Sequence, residues 1–351
     1  MTGYTAHKKK KLPSKRTRGS KAKRVRPILN AKAAKAFLLT LLVGTLSILY
    51  IAGTSFYNWL NKNFVSAESA ASINTSYLTI LYVVADDIHS DSPEISKFEI
   101  KLIDKVNKKV VTYVFPNDLE VYSGDKYGLE AISKQFALAK VANEDELDEA
   151  ITQLTKIAFN FIAFPIDRYI VTSSQSADKW EQFFTGDVNF IEFMSFAGKS
   201  GFSYSSNFSL QEVYSLTNFV AGLPEDRFIR NTLKKDIGNV IDYELKEITL
   251  DSEFAKLGKS IAVLNAGGKQ GAAGFSARVL SNLGGHIVVV DNSVFKFGEN
   301  FLISDSPEDA TAQFIAKTLG ISKIISKASA KELVDPIDLE RADLLVIIGQ
   351  N

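Results

Sequence analysis

Acidic side chains gather directly after the apolar run at residues 77–85. That run is rich in β-branched side chains, which predicts a buried strand. The polar loop that follows carries four carboxylates and one imidazole, on Asp86, Asp87, His89, Asp91 and Glu94. Carboxylate oxygens are ligands of hard divalent cations, so the loop is a candidate metal site with Asp86 as its first ligand. A solvated loop explains the same residues and stays an alternative.

Asp118 offers a second candidate carboxylate for catalysis or metal binding. It stands in the turn Pro116-Asn117-Asp118, which ends the apolar run at residues 110–115. The alternative is an ordinary turn without a ligand. Asp86 and Asp118 are therefore the two metal-ligand candidates of the chain.

Three arginines are candidate phosphate contacts, because the guanidinium group binds phosphate through two parallel hydrogen bonds. They are Arg168, Arg227 and Arg230. Residues 224–233 are predicted to be helical, with Pro224 in the first turn. Arg227 and Arg230 are three residues apart and would share one face of that helix. Solvated surface cations are the competing interpretation.

A glycine-rich segment at residues 265–274 lies between a predicted strand and a predicted helix, where phosphate loops occur. Its spacing fits neither the Walker loop nor the G-x-G-x-x-G fingerprint. We expect a structural loop in which the backbone turns and the helix packs closely on its strand. The residues expected to form this loop are Asn265, Gly267, Gly271 and Gly274.

No complete catalytic constellation is visible in the chain. The three histidines are isolated, and neither a Ser/His/Asp arrangement nor an H-E-x-x-H motif is present. The 24 phenylalanines are scattered over apolar faces, which indicates core packing. Cysteine is absent, so an exported protein of this sequence would depend on its hydrophobic core rather than on disulfides.

Strand and helix patterns alternate along the chain with Gly and Pro punctuation, which favours an α/β layer fold. Strands are predicted at residues 77–85, 98–103, 110–115, 166–172, 260–264, 286–290, 300–304 and 343–348. The first pair after residue 85 forms a predicted hairpin across residues 104–109. Helices are predicted at residues 129–139, 144–161 with Asn143 as N-cap, 177–184, 209–220, 224–233, 275–283 and 309–319. Residues 236–257 are predicted to be a helix followed by a linker.

The amino-terminal region predicts a membrane anchor. Residues 1–35 carry thirteen Lys and Arg and no Asp or Glu, and residues 36–60 are apolar and uncharged. About 20 apolar residues span a bilayer as a helix, and the basic flank faces the cytoplasm. A cleaved signal peptide is an alternative, although the apolar run is long for one. Nucleic-acid binding by the basic tail is a second alternative, and we consider it the weaker one.

The charge of the remaining chain differs sharply from that of the tail. The whole chain has 41 Lys and Arg and 40 Asp and Glu, so residues 36–351 keep 28 cations against 40 anions, a net charge of −12. An acidic outer part argues against nonspecific wrapping of a polyanion.

The region after residue 259 resembles the C-terminal domain of LytR-type cell-envelope proteins. The resemblance covers about 90 residues and rests on IAVLNAG at 261–267, GAAGFSARV at 271–279, LGG at 283–285, SPEDA at 306–310, LG at 319–320 and ADLLVIIG at 342–349.

The preceding region resembles a divergent LytR–CpsA–Psr domain. The matching features are a strand that ends at Asp86, a hairpin that leads to FPND at 115–118, and FPIDRYIV at 164–171. The resemblance implies an enzyme that moves a glycopolymer from a polyprenyl-pyrophosphate carrier to peptidoglycan, with Mg²⁺ or Mn²⁺ as cofactor. It also implies a membrane anchor with the domains outside the cell.

Departures from the family pattern point away from catalysis. Asn117 stands where the pattern has an arginine, Lys97-Phe98 where it has an aspartate, and Val84-Ala85 where it has a glycine before the first aspartate. Only Asp86 and Asp118 carry over. Loss of a pyrophosphate-binding cation and a metal carboxylate would cost several orders of magnitude in rate, because this chemistry depends on electrostatic clamping.

Together these features predict a single-pass cell-membrane protein with a cytoplasmic N-terminus and extracytoplasmic α/β domains. We expect an accessory or binding role in cell-envelope polymer assembly, with the membrane, cell-wall polymer, polyprenyl-phosphate lipid or envelope proteins as partners. One alternative is an active phosphotransferase with relocated arginines; another is a membrane sensor with a nucleic-acid-binding tail. The predicted segments are a basic tail at 1–35, a transmembrane helix at 36–60, a stalk at 61–75, a LytR–CpsA–Psr (LCP)-like domain at 76–240, a linker at 241–258 and a LytR C-terminal-like domain at 259–351.

Overall fold

A computed structural model describes residues 40–45, 47, 76–123, 127–144, 146–199, 201, 203–233, 238–250 and 252–350. The chain divides into two units, residues 1–58 and 59–351. In the first unit, residues 40–45 and 47 are helical. Among the described residues, no helix is both long and apolar enough for a membrane span. The predicted tail, the stalk and the rest of the predicted transmembrane helix lie outside the described residues.

The first sheet of the second unit has six strands in the order β7-β6-β1-β2-β3-β8. Strand β2 is antiparallel to β1 and β3, which confirms the predicted hairpin, whereas β6 is parallel to β1 and β8 is parallel to β3. The strands are β1 Tyr77–Ala85, β2 Ile95–Asp104, β3 Lys109–Phe115, β6 Arg168–Ser173, β7 Tyr204–Ser206 and β8 Phe228–Thr232. A separate two-stranded ribbon pairs β4 Glu120–Tyr122 with β5 Leu129–Ala131.

Helices cover both faces of this sheet. All nine residues of β1 are buried, and alternate side chains such as Leu81 and Tyr82 enter different cores. The Leu81 core packs against α1 Gln135–Ala142, α2 Leu147–Ile162 and α6 Gly238–Thr249. The Tyr82 core packs against α3 Ser174–Thr185, α4 Phe190–Ala197 and α5 Leu210–Ala221. Burial on both sides explains why β1 is apolar throughout instead of alternating.

Three predicted helices differ from the structure. Residues 129–131 form β5, so the first helix begins at Gln135 after a 3₁₀ turn. Asn143 does not cap α2; its side-chain amide donates to the Ala139 carbonyl at 2.7 Å, at the end of α1. Residues 224–233 are not an α-helix, because they form a 3₁₀ turn and then β8, which pairs with β3.

The second sheet has five strands in the order β10-β9-β13-β11-β12, all parallel to their neighbours except the antiparallel pair β11 and β13. Helices α8 and α9 pack on one face, and the short helices α10 and α11 lie on the other. The elements are β9 Ser260–Asn265, α8 Ala272–Asn282, β10 His286–Asn292, β11 Phe301–Ser304, α9 Ala310–Thr318, β12 Lys323–Ser326, α10 Lys327–Ala330, α11 Pro336–Glu340 and β13 Leu344–Ile348.

The segment predicted as a linker, residues 241–258, consists of α6 and the short helix α7 Glu253–Lys256. Helix α6 packs into the first core through Ile241 and Leu245. Helix α8 of the second sheet reaches the same core through Val279 and Leu283. The two sheets therefore share a continuous apolar contact.

Candidate functional site

Four strands of the first sheet end at one edge, because β1, β3, β6 and β8 run in the same direction. Asp86 follows β1 and Asp118 follows β3 at this carboxyl edge. Val83 of β1 and Phe115 of β3 both lie opposite Phe98 of β2. Asp86 and Asp118 therefore each follow by three residues a position at the same height in the sheet. Two strand spacings, roughly 10 Å, separate their chains. The structure thus brings the two carboxylates to one edge without making them neighbours.

Asp86 closes the acidic loop at its base. Its Oδ1 atom accepts hydrogen bonds from the backbone N–H groups of Asp87 at 2.8 Å and of Glu94 at 2.9 Å. The Asp86 N–H in turn donates to the Glu94 carbonyl at 3.0 Å. Short polar side chains commonly hold local backbone turns in this way. The carboxylate therefore has a structural role whether or not it also meets a ligand.

The acidic loop is also fixed to the protein interior. Ile88 is buried, and its N–H donates to the Ser173 hydroxyl at 3.1 Å. Lys140 of α1 is buried as well, and its ammonium group donates to the Ser90 carbonyl at 2.5 Å. The loop is thus anchored by an apolar residue, a hydroxyl and a lysine, which the idea of a freely solvated loop does not anticipate.

Asn117 fastens the second turn to β2. Its amide donates to the Ser96 carbonyl at 3.0 Å, and the Ser96 hydroxyl donates to the Val84 carbonyl at 3.2 Å. Asp118, the next residue, is exposed at the surface of the turn. The position where the family pattern has an arginine is therefore occupied by a side chain that binds the protein's own backbone.

Asp86 and Asp118 do not fit a shared Mg²⁺ or Mn²⁺ site. Such ions take several oxygen ligands at about 2.0–2.6 Å, whereas these carboxylates are two strands apart and Asp86 Oδ1 already accepts two N–H groups. Within the described parts of the chain, no group of three or more histidine, cysteine, aspartate or glutamate side chains is placed to hold a metal ion. No catalytic step through a metal follows from this arrangement.

Arg168 lies at the opposite end of the sheet from the carboxyl edge. It opens β6 beside Ile80, five residues or about 17 Å before Ser173. Its buried guanidinium group binds Glu212 through Nε at 3.0 Å and Nη2 at 2.5 Å. Burial acts to raise the pKa of Glu212, but Arg168 and Ser209 outweigh it and lower that pKa. Arg168 thereby fastens β6 to the capping box of α5.

The other two arginines also lie away from the carboxyl edge. Arg227 is exposed in the turn that precedes β8, at the same far end as Arg168. Arg230 lies part-way along β8 opposite Thr112, and its Nη2 contacts Glu99 Oε1 at 2.5 Å. The three candidate phosphate contacts are therefore not assembled with Asp86 and Asp118.

Charged residues along β2 form a network that was not among the candidates predicted from the sequence. Glu99 is fully buried and bridges Lys101, at 2.8 Å, and Arg230. Lys97 contacts Glu181 of α3 at 3.0 Å, and Lys101 lies 4.0 Å from the same carboxylate. Burial acts to raise the pKa of Glu99, but the two cations outweigh it and lower that pKa. We call these five residues the Glu99 network.

The sequence of β2 contains a pattern that corresponds to this network, but the pattern predicts a solvent-exposed position instead of a buried one. Charged residues at positions 97, 99 and 101 alternate with apolar ones in β2. Such alternation is typical of a strand with one face in water. Here α3 covers that face, and the ammonium group of Lys101 lies 5.0 Å from the Tyr82 ring and 4.8 Å from the Phe184 ring.

Asp167 is expected to make stability depend on pH. Its Oδ2 accepts the Thr79 N–H at 2.8 Å, and burial raises its pKa from 3.8 to about 6 despite this bond and nearby Arg168. Between these pH values the folded protein keeps a proton that the unfolded chain has lost. The free energy of unfolding should therefore fall as pH rises from about 4 to 6.

The variant Asp167→Asn removes the charge and keeps an oxygen acceptor for Thr79. We expect it to flatten the pH dependence and to raise the free energy of unfolding at pH 7 by about 3 kcal/mol, since the pKa shift from 3.8 to about 6 is worth about 1.4 kcal/mol per pKa unit. Denaturant titrations from pH 4 to 8 measure this, with the exposed Asp226→Asn as control. An unchanged pH slope in Asp167→Asn would contradict the assignment.

The glycine-rich loop of the second sheet requires glycine at some of its positions and not at others. Gly267 and Gly271 have φ values of 120° and 85°, which favour glycine. A Cβ atom on Gly268 would meet the Gly349 carbonyl at 3.0 Å. Gly274, however, has open space where its Cβ would be, so close helix packing does not require it. Asn265 Oδ1 accepts the Gly267 N–H at 3.3 Å and supports the turn.

Comparison with solved structures finds low similarity over about half of the chain. The transcriptional regulator yvhJ from Bacillus subtilis is 13% identical, with a TM-score of 0.35, over 46% of this chain and 84% of that chain. TagV from B. subtilis is 12% identical, with a TM-score of 0.35, over 46% and 86%. The LytR-CPS2A-psr family protein YwtF (TagT) with bound octaprenyl pyrophosphate lipid is 11% identical, with a TM-score of 0.33, over 50% and 92%.

A family model gives a clearer result for the second sheet. Residues 259–351 match the model described as LytR cell envelope-related transcriptional attenuator. Among curated proteins, none matches the chain. The match begins at the residue where the sequence places the second domain and covers all elements from β9 to β13. Residues 259–351 therefore form a LytR C-terminal domain, which confirms that part of the resemblance.

Proposed function

We propose that the protein is a membrane-attached, extracytoplasmic accessory protein that binds intermediates or partners in cell-envelope polymer assembly without transferring the polymer itself. The LytR C-terminal domain supports the cell-envelope context. The motif resemblance around Asp86 and Asp118, together with the basic tail and apolar segment before residue 60, supports placement of the domains outside the membrane.

The proposal that the protein does not catalyse transfer rests on one observation: the described cations near the carboxyl edge are already bound by groups of the protein. Transfer from a pyrophosphate carrier develops negative charge that cations must neutralise. Near the carboxyl edge, Lys97 is bound to Glu181, Lys134 to Glu130 at 3.2 Å, and Lys140 to a backbone carbonyl. The candidate arginines lie elsewhere and bind carboxylates or precede β8. Among the described residues, these lysines are therefore engaged by the protein's own carboxylates and carbonyls, whereas a transferase needs cations that are available to the pyrophosphate.

The remaining chemistry of this edge favours recognition over turnover. The side chains of Asp86 and Asn117 form hydrogen bonds with the protein's own backbone. A loop held in this way is pre-organised, and pre-organisation lowers the entropy lost on binding. The exposed carboxylate and amide groups of this edge can accept hydrogen bonds from the hydroxyl groups of a neutral polymer segment. The carboxylates would repel a negatively charged pyrophosphate.

A transfer assay tests the proposal. Purified full-length protein in detergent would be incubated with a polyprenyl-pyrophosphate glycolipid and peptidoglycan fragments, with Mg²⁺ or Mn²⁺. We expect no release of lipid phosphate above the protein-free rate, together with metal-independent retention of glycolipid or wall fragments.

Two Asp86 variants make the outcome interpretable. Asp86→Asn keeps an oxygen that closes the loop and removes the charge, whereas Asp86→Ala removes both. Metal-dependent release that is lost in both variants would establish an active phosphotransferase and overturn the proposal. Retention that survives Asp86→Asn and is lost in Asp86→Ala would show that the folded loop, rather than its charge, supports binding.

A further inference from the structure

Helix α4 is more apolar than its position at the surface requires. Six of its eight residues, in the sequence FIEFMSFA, are apolar. Phe193 and Ala197 satisfy the core, where Phe193 lies 4.7 Å from the Trp180 ring. Ile191 is nevertheless 80% exposed. A helix that is apolar on several faces normally has a second contact besides its own core.

Neighbouring residues extend this surface. Tyr214 of α5 is 52% exposed, and its ring lies 5.3 Å from Phe190. Met194 is half-buried beside them. The α4 patch is defined here by Phe190, Ile191, Met194 and Tyr214. It combines aliphatic, aromatic and phenolic side chains on adjacent turns of two helices.

Basic side chains lie on the other flank of α4, beside Phe196. The ammonium groups of Lys179 and Lys199 lie 4.2 Å and 4.8 Å from the Phe196 ring. Glu192, near the start of the helix, is the acidic residue within α4. Lysines beside an aromatic ring, and an exposed tyrosine, are both typical of surfaces that meet the headgroup region of a bilayer.

The patch lies toward the end of the first sheet where the chain enters it. Helix α3 starts at the carboxyl edge and ends at Thr185, and the following Gly186 approaches the Val220 carbonyl at the end of α5. After α5 the chain reaches Phe228, the first residue of β8. Across the sheet Phe228 pairs with Val110, Val110 with Ile103, and Ile103 with Leu78, so Phe228 lies level with the start of β1. Helix α4 therefore begins at the end of the sheet where residue 77 enters from the predicted stalk.

We propose that the α4 patch rests on the outer surface of the bilayer that holds the predicted anchor, with Ile191 in the acyl boundary and Tyr214 at headgroup level. The proposal depends on the membrane attachment proposed above. Fifteen stalk residues reach at most about 50 Å, so the anchor keeps the patch within reach of lipid. A weak apolar contact becomes effective when a tether raises its local concentration.

Site-specific fluorescence tests this proposal directly, because the chain contains no cysteine. Full-length Ile191→Cys and Ile337→Cys would each carry an environment-sensitive dye in phosphatidylcholine and phosphatidylglycerol vesicles that contain nitroxide-labelled lipid. Ile337 is a matched control, since it is 63% exposed on α11 of the other domain. We expect at least twofold stronger quenching at position 191, with a blue-shifted emission.

A third labelled variant separates this proposal from membrane attachment itself. Ser47→Cys places the dye in the predicted transmembrane segment. Quenching at position 47 without excess quenching at 191 would overturn the α4 contact and leave attachment intact. No quenching at 47 would instead contradict the predicted anchor, and excess quenching at 191 would then show that the patch binds lipid alone. A blue shift at 191 without lipid quenching would mean burial against protein and would also overturn the proposal.

Discussion

Replacing Glu99 by alanine is expected to lower the free energy of unfolding by about 3–5 kcal/mol, the range found when one partner of a buried ion pair is removed. Glu99 is fully buried and contacts both Lys101 and Arg230. Lys101 has a side chain only 3% exposed, so its charge would lose its closest carboxylate inside the protein. Equilibrium denaturation of the full-length protein in detergent measures this loss.

The pair Glu299 and Lys323 supplies the matched control. Their contact is 2.5 Å long, but the side chains are 57% and 49% exposed, so Glu299→Ala should cost less than about 1 kcal/mol. The double variant Glu99→Leu with Lys101→Met should regain most of the loss, because no buried charge remains unpaired. Equal losses for Glu99→Ala and Glu299→Ala would refute a buried network.

The same network has a pH consequence with a definite sign. The pKa of Glu99 is lowered in the folded protein, because Lys101 and Arg230 outweigh burial. Its stabilisation is therefore present above the unfolded value near 4.5 and is lost as pH falls through the lower folded value. This acid-side loss should be missing from the Glu99→Leu, Lys101→Met variant.

Asn282→Ala is expected to weaken the contact between the two sheets by about 3 kcal/mol. Asn282 of α8 is fully buried, and its amide donates to the carbonyls of Ile162 at 3.1 Å and Ala163 at 3.3 Å, at the end of α2. Ala163 ends that helix with a positive φ of 49°. Alanine at position 282 would leave these buried acceptors without this donor, and each such loss costs about 1–3 kcal/mol.

Thermal unfolding distinguishes a local loss from a separation of the domains. We expect Asn282→Ala to broaden or split the transition, because it removes the hydrogen bonds that join α8 to the end of α2 and leaves the Arg278–Asp242 contact at 2.7 Å. Asn218→Ala, at an exposed position in α5, serves as control and should change stability by less than about 0.5 kcal/mol. A single transition with an unchanged midpoint in Asn282→Ala would contradict the capping role.

Local patterns predicted most strands and helices, because these depend on neighbouring residues. The buried run of β1, the hairpin of β2 and β3, and the helix that starts after Ser209 were all visible in the sequence. The predicted helix at 224–233 failed because pairing with β3 overrides helical periodicity. The predicted cap of α2 failed because the Asn143 amide turns back to α1.

The candidate site was predictable in residue type but not in role. Asp86 and Asp118 do reach one edge of the sheet, yet a carboxylate that closes a loop and one that binds metal look alike in sequence. The Glu99 network was hidden for a different reason. Its Arg230 contact joins residues 131 positions apart, and only the fold shows that α3 covers the charged face of β2. The prediction that Arg227 and Arg230 share a helix face was wrong because residues 228–232 pair with β3 as a strand.

The capping of α2 by α8 sets an order for biosynthesis. Val279 and Leu283 belong to the same core as β1, and Asn282 completes a helix that ends 120 residues earlier. A nascent chain that has emerged only to residue 258 exposes that part of the core and those helix-end carbonyls. The core of the first domain is therefore complete only after the second domain has been synthesised, so we expect the protein to mature late in synthesis. Truncation before Leu283 should yield a chain that cells degrade.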